Sequence, residues 1–202
     1  WLQDAIDLMA THAMESLNKE NAWIFNTLQM YRHDRLAYLE RQVSQKKCHY
    51  GYKLVRGAYM EKENLRAQEN NYQSPICESK EATDQNYNAA VQYMLEHLDT
   101  MAVFAGTHNE DSSYLVMDLV AEKNIPPTDS RIWFGQLYGM SDNISYNLGA
   151  AGYNVAKYLP FGPVREVMPY LIRRAEENTS VAGQTNRELS LIQAERQRRK
   201  NA

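Results

Sequence analysis

Short apolar or β-branched runs recur along this chain, separated by longer stretches of helical periodicity, and that alternation limits it to repeated βα units around a parallel sheet. Five strands can be read, at Trp23 to Thr27, Tyr52 to Val55, Ala102 to Ala105, Arg131 to Gly135 and Val155 to Tyr158. Between them, apolar residues at helical spacing (Leu36, Leu39 and Val43; Val91, Met94, Leu95 and Leu98) form stripes that should face the sheet. The polar segment Glu63 to Thr83, interrupted by Pro75, reads as a long excursion without regular structure, either a lid or an ordered loop. Ser190 to Lys200 is helical in pattern and ends in a basic cluster that suits a helix C-terminus in solvent.

A closed (β/α)8 barrel needs eight strands and about 250 residues, more than the 202 present. An open doubly wound sheet accommodates five strands, yet no glycine-rich dinucleotide fingerprint follows any of them. The preferred fold is therefore α/β, a (β/α)8 barrel of which residues 1–202 supply the last five βα units and C-terminal helices within a single catalytic domain. On this reading the first three strands precede Trp1.

Charge and composition narrow the function classes. With 23% charged residues and a net charge of -3, both signs interspersed, no field favours nucleic acid. Cys48 and Cys77 fit neither a disulfide framework nor a zinc site, so plain thiols in a reducing compartment are expected. No apolar run reaches the roughly 20 residues that cross a bilayer.

In barrels of this type, working residues sit at the C-terminal ends of strands. Gln29, the KLVRGAY run from Lys53 to Tyr59, Thr107–His108–Asn109, Leu137 and Tyr158 all fall there. On the PYLIRRAEEN helix, Tyr170 and Arg174 share a face, and adjacent Arg173 and Arg174 suit bidentate capture of a carboxylate. Glu177 lies four residues after Arg173, within ion-pair reach. A surface Arg-Arg pair bound to Glu176 or Glu177 is the competing reading. Likewise Tyr158 and Leu137 could be core residues, and Lys53 and Arg56 outward-facing ones. Gly57 permits a close backbone approach, as a planar cofactor would require. His108 with Glu110 and Asp111 lacks zinc-site spacing, so no metal is expected.

The strings FNTLQMY (Phe25 to Tyr31), KLVRGAY, THNED (Thr107 to Asp111), FGQLYGM (Phe134 to Met140), KYLPFGP (Lys157 to Pro163) and PYLIRRAEEN (Pro169 to Asn178) occur in register. In that order the chain resembles the proline dehydrogenases, of the mitochondrial, eukaryotic type, over nearly its whole length. The resemblance implies FAD as cofactor and hydride transfer from L-proline C5 to flavin N5, giving 1-pyrroline-5-carboxylate, with electrons passed to ubiquinone. It implies that Arg173 and Arg174 bind the proline carboxylate. Tyr158, Leu137, Tyr170, Ala58 and Tyr59 would line the substrate pocket. Lys53 would stand near the flavin's reactive nitrogen, while Gln29, Val55, Gly57, Thr107, His108, Asn109 and Glu177 would contact the cofactor. Tyrosine at Tyr158 points to proline, because hydroxyproline-preferring relatives carry a smaller polar residue there. Location on the matrix side of the inner mitochondrial membrane, with peripheral membrane association, follows from the family alone. No general base stands out, and oligomeric state is not legible. Two other readings stay open: a catalytically incompetent fragment acting as a structural or binding module, and a hydroxyproline dehydrogenase.

Overall fold

A computed structural model describes residues 3–180 and 182–200, with the side chains of 176–180 and 182–188 outside the description. The chain order is α1 (Gln3–Leu17), β1 (Phe25–Gln29), α2 (Arg35–Ser44), β2 (Tyr50–Val55), α3 (Met60–Glu69), α4 (Lys80–Glu96), β3 (Met101–Gly106), α5 (Glu110–Glu122), β4 (Ile132–Leu137), α6 (Asp142–Ala150), β5 (Val155–Tyr158), α7 (Val164–Ser180) and α8 (Ala182–Lys200). The strands form one sheet in the order β1-β2-β3-β4-β5, every neighbouring pair parallel. Spatial order that follows chain order, without reversal, is the winding of a barrel wall rather than of a doubly wound sheet.

Period-two alternation divides the two faces. Leu28, Tyr50, Tyr52, Leu54, Val103, Ala105, Ile132 and Phe134 pack with the helices in one apolar cluster. The helical stripes read from the sequence arrive there too: Leu39, Val43, Val91, Met94, Leu95 and Leu98 are buried in it, and Leu36 packs against it. The opposite face carries Gln29, Lys53, Val55, Phe104, Gly135 and Leu137, and none of these belongs to the helix-packed core.

Two expectations are corrected. β1, β3 and β4 run one or two residues past the C-terminal ends read from periodicity, to Gln29, Gly106 and Leu137, while β2 ends at Val55 as read and begins two residues earlier, at Tyr50. The segment Glu63 to Thr83 is helical at both ends, containing most of α3 and the first turn of α4, with an irregular connection between them. It looked irregular because α3 buries little more than Glu63 and Ala67, so no apolar stripe marks it. Pro75 lies in the connection between the helices, which is anchored by the His33 N–H to the Pro75 carbonyl (3.0 Å), the Cys77 N–H to the Tyr31 carbonyl (2.7 Å) and a bridge between Arg32 and Ile76. Among the described residues no helix is long and apolar enough to cross a membrane.

A buried polar knot fixes α1 against the sheet. Asp7 accepts from Gln3 Nε2 (2.7 Å), Asn26 Nδ2 (2.8 Å) and Arg35 Nη1 (2.6 Å), joining α1, β1 and α2. Arg35 also holds Asp34; burial alone would raise that carboxyl, but the guanidiniums of Arg35 and Arg32 outweigh it and hold it well below the usual range. Removing one partner of such a pair strands the other charge in a poorly solvated place. Arg35→Met in the full polypeptide is expected to lower its stability by about 3–5 kcal/mol, read from urea unfolding.

Candidate active site

Parallel pairing brings the C-terminal tips of all five strands to one end. On the helix-free face, register sets Lys53 between Thr27 and Phe104, and Phe104 beside Trp133. Two glycines clear space for these side chains. A Cβ on Gly135 would fall 2.0 Å from the Phe104 ring, and one on Gly106 would fall 3.2 Å from Lys53 Cε and 3.0 Å from Val55 Cγ1. Phe104 therefore spreads over Gly135 as an apolar floor, a contribution not anticipated from the sequence; the signal available was a small residue two past an aromatic on adjoining strands.

The Lys53 ammonium stands 5.4 Å from the Phe104 ring centre and 5.8 Å from that of Tyr158. It has no carboxylate or hydrogen-bond partner among the described residues, and burial lowers its pKa. A half-buried cation beside aromatic faces calls for a ligand that brings electron density.

Helix α7 closes over the tips. Tyr158 meets Tyr170 edge to face at 5.6 Å, and the Arg174 guanidinium lies 5.2 Å from the Tyr170 ring centre. Arg173 lies 5.6 Å from the ring of Tyr59, which follows β2. Both arginines are half-buried, and Arg173 Nε is enclosed with no hydrogen-bond partner among the described residues. The shared face of Tyr170 and Arg174 is thus observed. Leu137 is paired in register with Tyr158, so the two occupy the same face, whereas Ala58 is exposed beside Tyr59. Glu177, expected against Arg173, has its side chain outside the described residues.

The Thr107–His108–Asn109 turn divides its work. Thr107 is buried, its hydroxyl accepting from Arg56 Nη1 (2.8 Å) and the Asn109 N–H (3.0 Å). Asn109 caps α5, its side-chain oxygen accepting from the Ser112 N–H at 2.8 Å. These two side chains build the turn. Arg56, read as a candidate for the outer face, is the hub: it also pairs with Asp84, donates to Ser112 Oγ at 3.0 Å and stacks on Tyr87. His108 differs, with Nδ1 2.9 Å from Ser141 Oγ; burial, then the charges of Lys157 and Arg174, push its pKa down to about 4. Its imidazole is neutral at physiological pH.

Gln29 is gripped at both ends of its amide, donating to Gln3 Oε1 and accepting from the Tyr31 hydroxyl, each at 3.2 Å. The Val55 carbonyl accepts from the Met30 N–H at 2.7 Å. Gly57 follows β2 with a positive φ. Its backbone has φ 117°, and an added Cβ would fall 1.8 Å from the Tyr31 ring. Tyr31 itself takes up the room that the missing side chain leaves, and packing within the chain accounts for this glycine. Tyr31 in turn donates to Glu63, which Arg32 pairs at 3.2 Å.

A cavity of about 840 Å³ opens elsewhere, between α6 and α8, lined by Tyr146, Leu191, Ile192 and Arg196 among others. It includes none of the residues gathered at the strand tips.

The proline dehydrogenase family profile matches residues 1–187. The chain is 41% identical to "Proline dehydrogenase 1, mitochondrial" of Caenorhabditis elegans and 42% identical to the human protein of the same name, in each case over 98% of this chain and 34% of the relative. It therefore spans about a third of the length of these relatives. Among solved structures, proline utilization A from Bdellovibrio bacteriovorus, inactivated by N-propargylglycine, superposes with a TM-score of 0.75 at 26% identity, covering 85% of this chain and 18% of that one. With the strand order and these likenesses in agreement, this chain belongs to the proline dehydrogenase family.

Proposed function

We propose that the polypeptide to which this segment belongs is an FAD-dependent proline dehydrogenase, oxidising L-proline to 1-pyrroline-5-carboxylate. The observation that carries this reading is the Lys53 ammonium, half-buried without a carboxylate partner among the described residues, in one aromatic chain with Tyr158, Tyr170 and Arg174. A site so rich in cations and ring faces suits two ligands at once, an amino-acid carboxylate and a planar, electron-rich ring. The donor set fits FAD: Lys53, the braced Gln29 amide and the neutral His108 imidazole stand on three neighbouring strand ends.

When bound, FAD supplies the acceptor for the hydride from proline C5, while the proline nitrogen gives up a proton as the C=N bond forms. Arg173 and Arg174 hold the substrate carboxylate, and the rings of Tyr59 and Tyr170 keep their guanidiniums aimed. Leu137, Tyr158 and Tyr170 wall the pyrrolidine ring. Lys53 lowers the energy of the negative charge that gathers next to it. Tyr158 is 51% exposed, so water reaches the mouth and accepts the amine proton. Ala58 sits at the rim. Likeness to relatives named mitochondrial supports the same compartment here. Ubiquinone as electron acceptor, the matrix face of the inner membrane and peripheral attachment extend that reading.

On this reading hydroxyproline would be the poorer substrate: the Tyr158 ring, between Lys53 and Tyr170, would crowd an added hydroxyl. The isolated segment is a different matter. Phe161 is 98% exposed and Trp23 74%, and β1 and β5 each pair on one side only among the described residues, features of a piece that does not work alone.

Anaerobic addition of L-proline to the full polypeptide should bleach a flavin band in the visible spectrum; a preparation that binds no flavin refutes the assignment. Arg174→Met should raise the KM for proline about 30- to 100-fold with flavin content near normal, and unchanged proline affinity would remove the carboxylate role. Tyr158→Ser is expected to shift the ratio of kcat/KM values about tenfold toward hydroxyproline, measured on both substrates in parallel.

A further inference from the structure

Ser141 occupies the turn between β4 and α6 in a way its local role does not explain. It is the N-cap of α6, where a serine hydroxyl ordinarily accepts from the first turn of its own helix, yet it makes no such bond. Its backbone lies in the left-handed region (φ 51°), where glycine is favoured over serine. The residue is nonetheless 6% exposed, and its hydroxyl lies 2.9 Å from His108 Nδ1. A side chain kept in a left-handed position, buried, and turned away from its own helix is serving a neighbour.

That neighbour sits on the preceding strand tip, and the two turns are clipped together twice. Beside the Ser141–His108 contact, Asn143 Nδ2 donates to Glu110 Oε1 at 2.9 Å. From the other side, Lys157 of β5 donates to the Met140 carbonyl (2.6 Å) and pairs with Asp142 (2.7 Å). The turn carrying Ser141 is thus braced by both adjoining strands, a support stiff enough to hold a hydrogen-bonding atom in place. With Nδ1 engaged, the imidazole cannot turn freely about its Cβ–Cγ bond.

We propose that Ser141 is a positioning residue which orients the His108 imidazole for FAD. This rests on the reading above that seats the cofactor at these strand ends. On this proposal Ser141 acts through His108, while Thr107 and Asn109 also brace the turn.

The test is FAD titration of the full-length apoprotein, followed by flavin fluorescence. Ser141→Gly removes the hydroxyl while relaxing the left-handed backbone, so a serine that serves only its own turn predicts undiminished FAD affinity, whatever happens to stability. Positioning predicts that Ser141→Gly and Ser141→Ala each weaken FAD about five- to tenfold, with the melting temperature of the glycine apoprotein unchanged or raised. In a His108→Ala background, Ser141→Gly should add no further loss. Should the alanine variant fail to fold, the glycine variant carries the test. Unchanged affinity in Ser141→Gly alongside a weakened His108→Ala overturns the positioning role and leaves the FAD reading standing; additive losses overturn it as well. Unchanged affinity in His108→Ala removes the cofactor from this turn, and the positioning role falls with it.

Discussion

The alternation of β2 decides which side of the sheet receives the cation. Tyr50, Tyr52 and Leu54 are wholly buried against the helices, and with a two-residue period this sends Gly51, Lys53 and Val55 to the other face. A register slip of one residue would bury the ammonium under α2 and α4 and expose two tyrosines, a loss far beyond any local adjustment. The position of Lys53 is therefore enforced by the apolar area of its neighbours. The same logic on β3 and β4 places Phe104 opposite Val103 and Ala105, and lets Gly106 and Gly135 open the inner face where long side chains lean across.

Periodicity made this much legible. The parallel sheet, the helical stripes and the gathering of candidates at strand ends all follow from hydrophobic spacing, because those features are encoded by many residues acting alike. What escaped was encoded by few. Helix α3 has a polar surface around two buried positions, so its period carries no contrast. The close approach at Gly57 was legible, but its occupant was not, since Tyr31 lies on a different loop and only the folded chain brings its ring there. Thr107 and Asn109 hold the strand-to-helix turn with donors and acceptors that would equally suit a ligand, and residue type alone does not separate the two uses. Arg56 shows the reverse: a charge with no assigned task ties together Asp84, Thr107 and Ser112 from α4, the β3 turn and α5.

The polar framework and the site are built from different kinds of contact. Beneath and beside the tips, charges meet in direct pairs: Arg35 with Asp7, Arg32 with Glu63, Arg56 with Asp84, Lys157 with Asp142. Such pairs are geometrically specific and hold loops in register, although their net effect on stability is small once desolvation is counted. At the mouth, by contrast, Lys53 and Arg173 are set against aromatic faces, those of Tyr158 and Tyr59.

That contrast bears on how a carboxylate is bound. A guanidinium already locked to an internal carboxylate must surrender that partner before it takes a substrate, and the exchange cancels much of the gain. A guanidinium stacked on a ring keeps its N–H edges directed outward in the plane, while the ring attracts its face by about 0.5–2 kcal/mol. Tyr59 holds Arg173 in this way, and the enclosed Nε of Arg173 is a donor with no protein acceptor among the described residues. On the proposed reading, Arg173 would be oriented before a carboxylate arrives, and the energy of the charge-assisted hydrogen bonds would go to that ligand rather than to rearranging the protein.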